Sequence, residues 1–490
     1  MENTVFDIRK FDEYKEDNCR EVKNAAGGLP VSLWESYSAL ANSNGGVILL
    51  GVQERKDGSW HTTGLKKKDA RKLIKNFWDT IHDSKKVSVN LLTDSDVEPY
   101  EVGDELILVI KVPRAQREDR PVYINDDIFG NTFRRNSEGD YHCTRAQVKA
   151  MLRDQPESTM DMEILEEIPM EYLNMETVHG YRNRHKSLKS GHPFERLADE
   201  EYLRSVGAAA VSSKDGKYHP TGAGLLMFGD EYNIVRQYPE YFLDYREMLD
   251  PAIRWTDRLH SSSGEWSGNV CDFYFRVYNK IIKEVKVPFK MVGGTRIDDT
   301  PVHKALREAL ANCLMNADFY ESRGVVIKLE DHKLTLENPG YIRVGKKQIR
   351  LGGVSDPRNK GLMKMFNLID IGERAGSGVP DILNVWEDEG YEPPEIIEEF
   401  VPDRTKLVLS FEKRKKQAIK TNDKKQTTKL QEHAELIVAY LNEVEEARTA
   451  EIAEKLGLSP DRTRVILANM PELEALGGNR NRTYRLKLNR

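Results

Sequence analysis

The chain has 490 residues, with 74 Lys and Arg against 80 Asp and Glu, a formal net charge of −6 and 39% hydrophobic residues. That length predicts several domains with real cores, and the near balance of charge excludes a uniformly basic nucleic-acid coat while leaving room for local patches. No apolar run approaches the roughly 20 residues of a membrane span, the N-terminus lacks the apolar stretch of a secretory signal, and the four cysteines show no C-x-x-C pairing, so a cytoplasmic protein without a zinc site or disulfide framework is expected.

Residues 1–155 mix helix and strand patterns. "PVSLWESYSALANS" has helical spacing, while "GVILLGV" and "ELILVIKVP" are buried strands. The "ANSNGG" turn enters the first of these strands, which delivers Gln53 and Glu54 at its end. Phosphodiester cleavage needs clustered carboxylates to hold one or two divalent ions, Mg²⁺ or Mn²⁺, with a cation beside the phosphate. Glu16, Glu21 and Glu54 with Lys23 supply such a set, although a solvated edge accounts for them as simply.

The pattern Glu-x4-Glu-x-Lys, then "LWESYSALANSNGGVILLGV" and "NTFRRNSEGDYHCTRAQV", resembles the AlbA-like domain of the Schlafen family. Members with three acidic residues cleave transfer and ribosomal RNA, whereas others, often bacterial, are DNA-binding regulators. By position, the resemblance makes Glu16 and Glu21 the first two acids, with Glu54 where the family usually has Asp. It also makes Arg134 and Arg135 nucleic-acid contacts, with a salt-bridged hairpin as the alternative.

Residues 156–290 open with a helical, acidic connector and continue as an aromatic-rich region. There "TGAGLLMFG" is expected as a turn and strand, and "RWTDRLHSSSGEWSGNVCDFYFRV" matches no motif.

Residues 291–411 carry "ALREALANCLMNADFY", Ala305 to Tyr320, near their start. At helical spacing Leu306, Leu310, Cys313 and Leu314 form an apolar stripe, while Glu308, Asn312 and Asn316 recur every fourth residue on another side. Asn is a poor helix former, so two of them in register with a Glu predict a ligand face. A Glu followed by Asn one turn later suits nucleotide hydrolysis, the carboxylate as general base and the amide oxygen on Mg²⁺. The glycine-rich Gly376-Ser377-Gly378 supplies backbone N–H groups for phosphate at a helix start, and Asn338-Pro339-Gly340 a turn to shape a base pocket.

"ALREALANCLMNADFY", "LENPG", "GGVSDPRNKGLMKMF" and "GERAGSG", in that order, resemble the divergent GHKL-type ATP-binding domain of many bacterial regulators. The resemblance implies a helix layer on a mixed sheet, with ATP as the nucleotide. The family's Asp-x-Gly-x-Gly acid is replaced here by Asn338.

Residues 412–430 are a basic linker, with eight Lys or Arg against one Asp between Lys413 and Leu430. Residues 431–490 predict three short helices, the last two joined by Gly457-Leu458-Ser459, and then an alternating β wing. This resembles the winged helix-turn-helix of bacterial regulators, with Arg462 and Arg464 on the recognition helix and Arg480, Arg482 and Arg485 on the wing as nucleic-acid contacts.

The whole reads as an α+β multidomain chain: AlbA-like Schlafen domain, aromatic middle, GHKL-type α/β sandwich and winged helix. Its expected function is that of an ATP-regulated, metal-dependent endonuclease acting on RNA, tRNA above all, or on DNA. A role in phage defence and a homo-oligomeric state follow from the family resemblance. The alternative is a nucleotide-sensing, DNA-binding transcriptional regulator without nuclease activity.

Overall fold

A computed structural model describes residues 17–414 apart from 137–138, 286–289, 293–294, 298, 373–375 and 401, and discontinuous segments between 436 and 486. The chain divides into two compact units, Met1–Lys413 and Arg414–Arg490.

In the first unit β1 (Arg20–Lys23) leads through α1 (Ser32–Ala41) into β2 (Gly46–Leu50). A short hairpin of β3 (Val52–Glu54) and β4 (Trp60–Thr62) follows, then α2 (Lys67–Ile81), β5 (Val97–Val102) and β6 (Glu105–Val112). The resulting four-stranded sheet runs β1-β2-β6-β5, with β1 parallel to β2 and the other pairs antiparallel. The unbroken apolar run of β2 has a simple cause: Ile48 and Leu50 enter the core shared with α1 and α2, and Val47 and Leu49 enter a second core with Trp60, Ile107 and Val109.

The hairpin of β7 (Phe133–Asn136) and β8 (Gly139–His142) lies against α1. The "ANSNGG" turn explains this contact. Asn42 is fully buried and bonds the Phe133 carbonyl and both backbone groups of Val122, while Ser38 and Ser43 accept the N–H groups of Phe133 and Arg135. α3 (Arg145–Asp154) begins at a Thr144 capping box.

The middle region carries α4 (Met175–Leu188), α5 (Asp199–Val206), the hairpin β9 (Ala209–Val211) and β10 (Tyr218–Pro220), α6 (Gly222–Phe228) and α7 (Glu231–Gln237). α6 is a correction, because "TGAGLLMFG" was expected to form a strand. A short apolar run cannot separate the two by periodicity, and here Thr221 caps the helix through the Gly224 N–H while Gly224 packs against the Ala208 backbone.

β11 (Leu243–Met248), β12 (Asp257–His260), α8 (Val270–Glu284), β13 (Lys290–Val292) and β14 (Thr295–Ile297) come next, followed by α9 (Pro301–Met315), β15 (Val325–Glu330) and β16 (Lys333–Pro339). α10 (Lys346–Leu351), α11 (Lys360–Leu368), α12 (Gly378–Asp388), β17 (Glu395–Phe400) and β18 (Asp403–Ser410) complete the unit. One mixed sheet, β12-β11-β15-β16-β18-β17, joins strands from both sides of the boundary expected at residue 290. The cause is the parallel pairing of β11 with β15, which no local pattern announces. A single buried core runs from Ile168 to Leu409.

The second unit contains β19 (Ala447–Arg448), the helix Thr449–Leu456, β20 (Leu473–Leu476) and β21 (Thr483–Leu486), in a sheet ordered β19-β21-β20. Ile437, Leu441, Ile452, Leu467 and Tyr484 form its core. Among the described residues, no helix is long and apolar enough to cross a membrane.

Candidate functional site

One cleft is built on α9. Thr300 and His303 form its N-terminal capping box and Pro301 takes the first helical position. Leu306, Leu310 and Leu314 go into the core, leaving Glu308 and Asn312 half-buried on the other side. The Asn312 Nδ2 donates to Glu308 Oε1 at 3.0 Å. This locks the pair, and the Asn312 oxygen is the end that remains for a hard cation.

The helix ends one residue before Asn316, which caps it by donating Nδ2 to the Asn312 carbonyl at 2.9 Å. Asn316 still lines the cleft, but its amide closes its own helix. Asn338 donates to the Asn316 and Pro339 carbonyls at 3.3 and 3.1 Å. Gly340 is required for two reasons: its φ is +97°, and a Cβ there would overlap the Arg358 guanidinium.

The glycine-rich turn reaches the same place. Gly376 has a φ of +67° and sits where a Cβ would come within 2.6 Å of the Val354 carbonyl oxygen. Ser377 precedes α12, and a Cβ on Gly378 would overlap the Glu308 carboxylate. The first turn of α12 therefore rests on Glu308, with the positive end of the helix dipole toward a carboxylate.

Glu308, Asn312, Asn316, Asn338, Gly376 and Gly378 thus border one cleft of about 1060 Å³, solvent-facing space included. Sequence reasoning missed Tyr341, Arg343, Asp356 and Thr405, which also line it. For Thr405 a signal existed, since it stands two residues from Leu407 on β18 and so shares its face. Asp356 and Arg343 lie in turns without periodicity. Asp356 is ion-paired to Arg117 at 3.2 Å and to Arg343 at 3.4 Å, and Thr405 donates to the Gly340 carbonyl at 2.9 Å.

The N-terminal acids are held differently. Glu21 is buried on β1, with one oxygen 2.6 Å from Lys23 Nζ and the other 2.5 Å from Arg135 Nη1. Glu54 is half-buried on β3 opposite Trp60, and Glu16 lies outside the described residues. Among the described residues no three His, Cys, Asp or Glu gather as a metal site. Each Glu21 oxygen has a cation beside it, although Oε2 accepts no hydrogen bond, so a divalent ion there would have to displace Lys23 or Arg135.

Arg134 and Arg135, expected to contact nucleic acid, are both buried and both ion-paired inside the unit. Arg134 donates to both Asp403 oxygens at 2.7 Å, and its guanidinium lies over the Tyr341 and Phe400 rings. Arg135 binds Glu21, Asp140 and the carbonyls of Asp17 and Arg20. This is the salt-bridged hairpin, since burial in such pairs leaves neither guanidinium facing a phosphate. In the second unit, Arg485 pairs with Glu474 at 2.9 Å on the surface, while Arg462, Arg464, Arg480 and Arg482 lie outside the described residues.

Comparison with known proteins gives matches to three family models. Residues 9–144 match "Schlafen, AlbA_2", residues 149–244 match a domain of unknown function (DUF8451), and residues 322–409 match "Putative ATP-dependent DNA helicase recG C-terminal". No curated protein matches the chain. Among solved structures, the DIP2311 protein from Corynebacterium diphtheriae is 17% identical with a TM-score of 0.42, covering 96% of this chain and 92% of that one. The N-terminal domain of a RecG-related protein from Nitrosomonas europaea is 25% identical with a TM-score of 0.22, covering 28% of this chain and 90% of that one. A Schlafen AlbA_2 domain and a RecG-like ATPase-type domain are therefore found in the chain, and together they indicate nucleic-acid-related, ATP-using chemistry.

Proposed function

We propose that the protein is an ATP-regulated nucleic-acid-binding protein whose nucleotide occupies the α9 cleft. The observation that carries the reading is the convergence of Glu308, Asn312, Asn338 and the Gly376–Gly378 turn, drawn from three separate segments, on one cavity. Phosphate groups would meet backbone N–H groups at the start of α12. Glu308 already occupies that positive end, so a second anion there needs a cation between them. Asn312 would hold a magnesium ion through its oxygen, and the ion when bound supplies that neutralisation. Glu308, one turn away, is the group placed to take a proton from attacking water.

The nucleic-acid role rests on the AlbA_2 match and, in the second unit, on the winged-helix reading of the basic C-terminal segment. The finer reading is a Schlafen-type endonuclease for RNA or DNA in phage defence, with Glu16, Glu21 and Glu54 on Mg²⁺ or Mn²⁺. It requires Glu21 to leave its two cations. The ion pairs as placed favour the other reading, a nucleotide-sensing DNA-binding transcriptional regulator in the cytoplasm, assembled as a homo-oligomer.

The test has two parts. Wild type and Glu308→Gln are compared for Mg-ATP binding and hydrolysis, with turnover expected to fall by about 10²–10⁴ while affinity stays within about threefold. Unchanged turnover removes Glu308 from the base role. Total tRNA and a labelled duplex are then incubated with Mn²⁺, with and without ATP, beside Glu21→Ala. Duplex bound but intact in every lane supports the regulator, and cleavage lost in the variant establishes the nuclease.

A further inference from the structure

The wall of the cleft is also the surface on which the N-terminal domain is seated. Tyr341, Ile342, Arg343 and Asp356 line the cleft, and each is engaged by an arginine from residues 114–134 or by the end of α3. Arg114 donates to the Ile342 carbonyl at 2.6 Å, and Arg117 pairs with Asp356. Arg120 and Arg134 lie 5.3 and 5.2 Å from the centre of the Tyr341 ring. Asp154, the last residue of α3, accepts from Arg358 at 3.0 and 2.8 Å, and its backbone carbonyl takes an Arg343 Nη2 donor. Burial alone would push the Asp154 carboxyl up, but the facing Arg358 outweighs it and holds the group below its ordinary range.

One strand carries this contact further. Successive side chains of a strand point to opposite faces, and β7 places two arginines in succession. Arg134 grips Asp403 and the cleft-lining Tyr341, while Arg135 grips the Glu21 carboxylate and the Asp17 and Arg20 carbonyls. β1, the strand so gripped, is an edge of its sheet. The β7 backbone is tied to α1 and the turn after it through Ser38, Asn42 and Ser43, which holds Arg134 and Arg135 in fixed register on one segment.

We infer that occupancy of the cleft is communicated to β1 through the adjacent residues Arg134 and Arg135, with Arg135 as the latch that releases Glu21 and the start of β1 when nucleotide draws on the Tyr341–Arg343 wall. Arg134 and Arg135 are positioning residues. The inference rests on the nucleotide reading of the cleft and is independent of whether Glu21 ever holds a metal.

The test uses the full chain and the non-hydrolysable probe Mg-AMP-PNP. Binding is measured first by calorimetry, and amide hydrogen exchange of the peptide spanning residues 17–23 is then followed with and without saturating probe. Exchange in the wild type is expected to accelerate at least threefold. In Arg134→Met/Asp403→Leu, which removes the tie without orphaning a buried charge, the probe should bind but leave exchange unchanged. Arg134→Lys, which keeps the charge and loses the planar guanidinium lying over Tyr341 and Phe400, should give an intermediate response and serves if the double variant does not fold. Probe bound with no acceleration, or acceleration that persists in both variants, overturns the inference alone. Failure of the probe to bind wild type overturns the cleft reading and the inference with it.

Discussion

Glu308 and Glu21 are both carboxylates on regular elements of the same unit, and they are held in opposite ways. Glu308 is half-buried at the rim of a cleft, bonded to the Asn312 amide and lying against the first turn of α12. Glu21 is buried, with a cation on each oxygen. The first arrangement keeps a charge near solvent and beside a cavity, where it can act on a ligand. The second neutralises the charge within the fold, where removing a partner is costly. An acid in a sequence pattern thus acquires its role from the groups that face it, and these differ at the two sites because one is bordered by glycines and asparagines and the other by Lys23 and Arg135.

The largest expected effect breaks the Glu21 side of the contrast. Arg135→Met leaves the buried Glu21 carboxylate with Lys23 alone, removes the guanidinium from Asp140 and takes its donors from the Asp17 and Arg20 carbonyls, the latter keeping only the Asp17 N–H. Unfolding free energy should fall by about 3–5 kcal/mol, the range for removing one partner of a buried pair, read as a lower urea midpoint at unchanged slope. A loss below about 1 kcal/mol would mean that the pair is exchangeable and that Glu21 is as available as Glu308.

What was legible in the sequence follows the range of the interactions. α9, β2 and β6 are announced by apolar spacing, because each buries a continuous stripe or both faces of a strand. The glycine turns were legible because φ values of +97° at Gly340 and +67° at Gly376 leave few other residues. The partners of Arg134 and Arg135 were not, since Asp403 lies 269 positions from Arg134 and no local pattern encodes such a pair. The same holds for the pairing of β11 with β15. Asn316 was legible as a cleft residue but its second role was not: it lines the cleft and also caps α9, and only the helix end at Met315 reveals the cap.

A smaller effect sharpens the Glu308 side. In Gly378→Ala the new methyl occupies the place of the Glu308 carboxylate, which must swing away. Overpacking costs about 1–3 kcal/mol, and Gly378 is the first residue of α12, where Ala returns little, so stability should fall by no more than about 3 kcal/mol. ATP hydrolysis should nonetheless fall far more than the melting temperature suggests. Hydrolysis at the wild-type rate would detach Glu308 from any role set by the first turn of α12.

The smallest effect concerns Glu54, the third of the N-terminal acids. It is half-buried on the short β3–β4 hairpin, opposite Trp60 rather than an arginine. If its environment is that of a surface carboxylate, Glu54→Gln should change the unfolding free energy by less than about 0.5 kcal/mol, against several for Arg135→Met. A loss of more than about 2 kcal/mol would show that Glu54 belongs to a charged network as tight as that of Glu21. Near-neutrality in folding is also the condition under which nucleic-acid assays on Glu54→Gln become interpretable, because any change in cleavage or binding would then report on the site and not on the amount of folded protein.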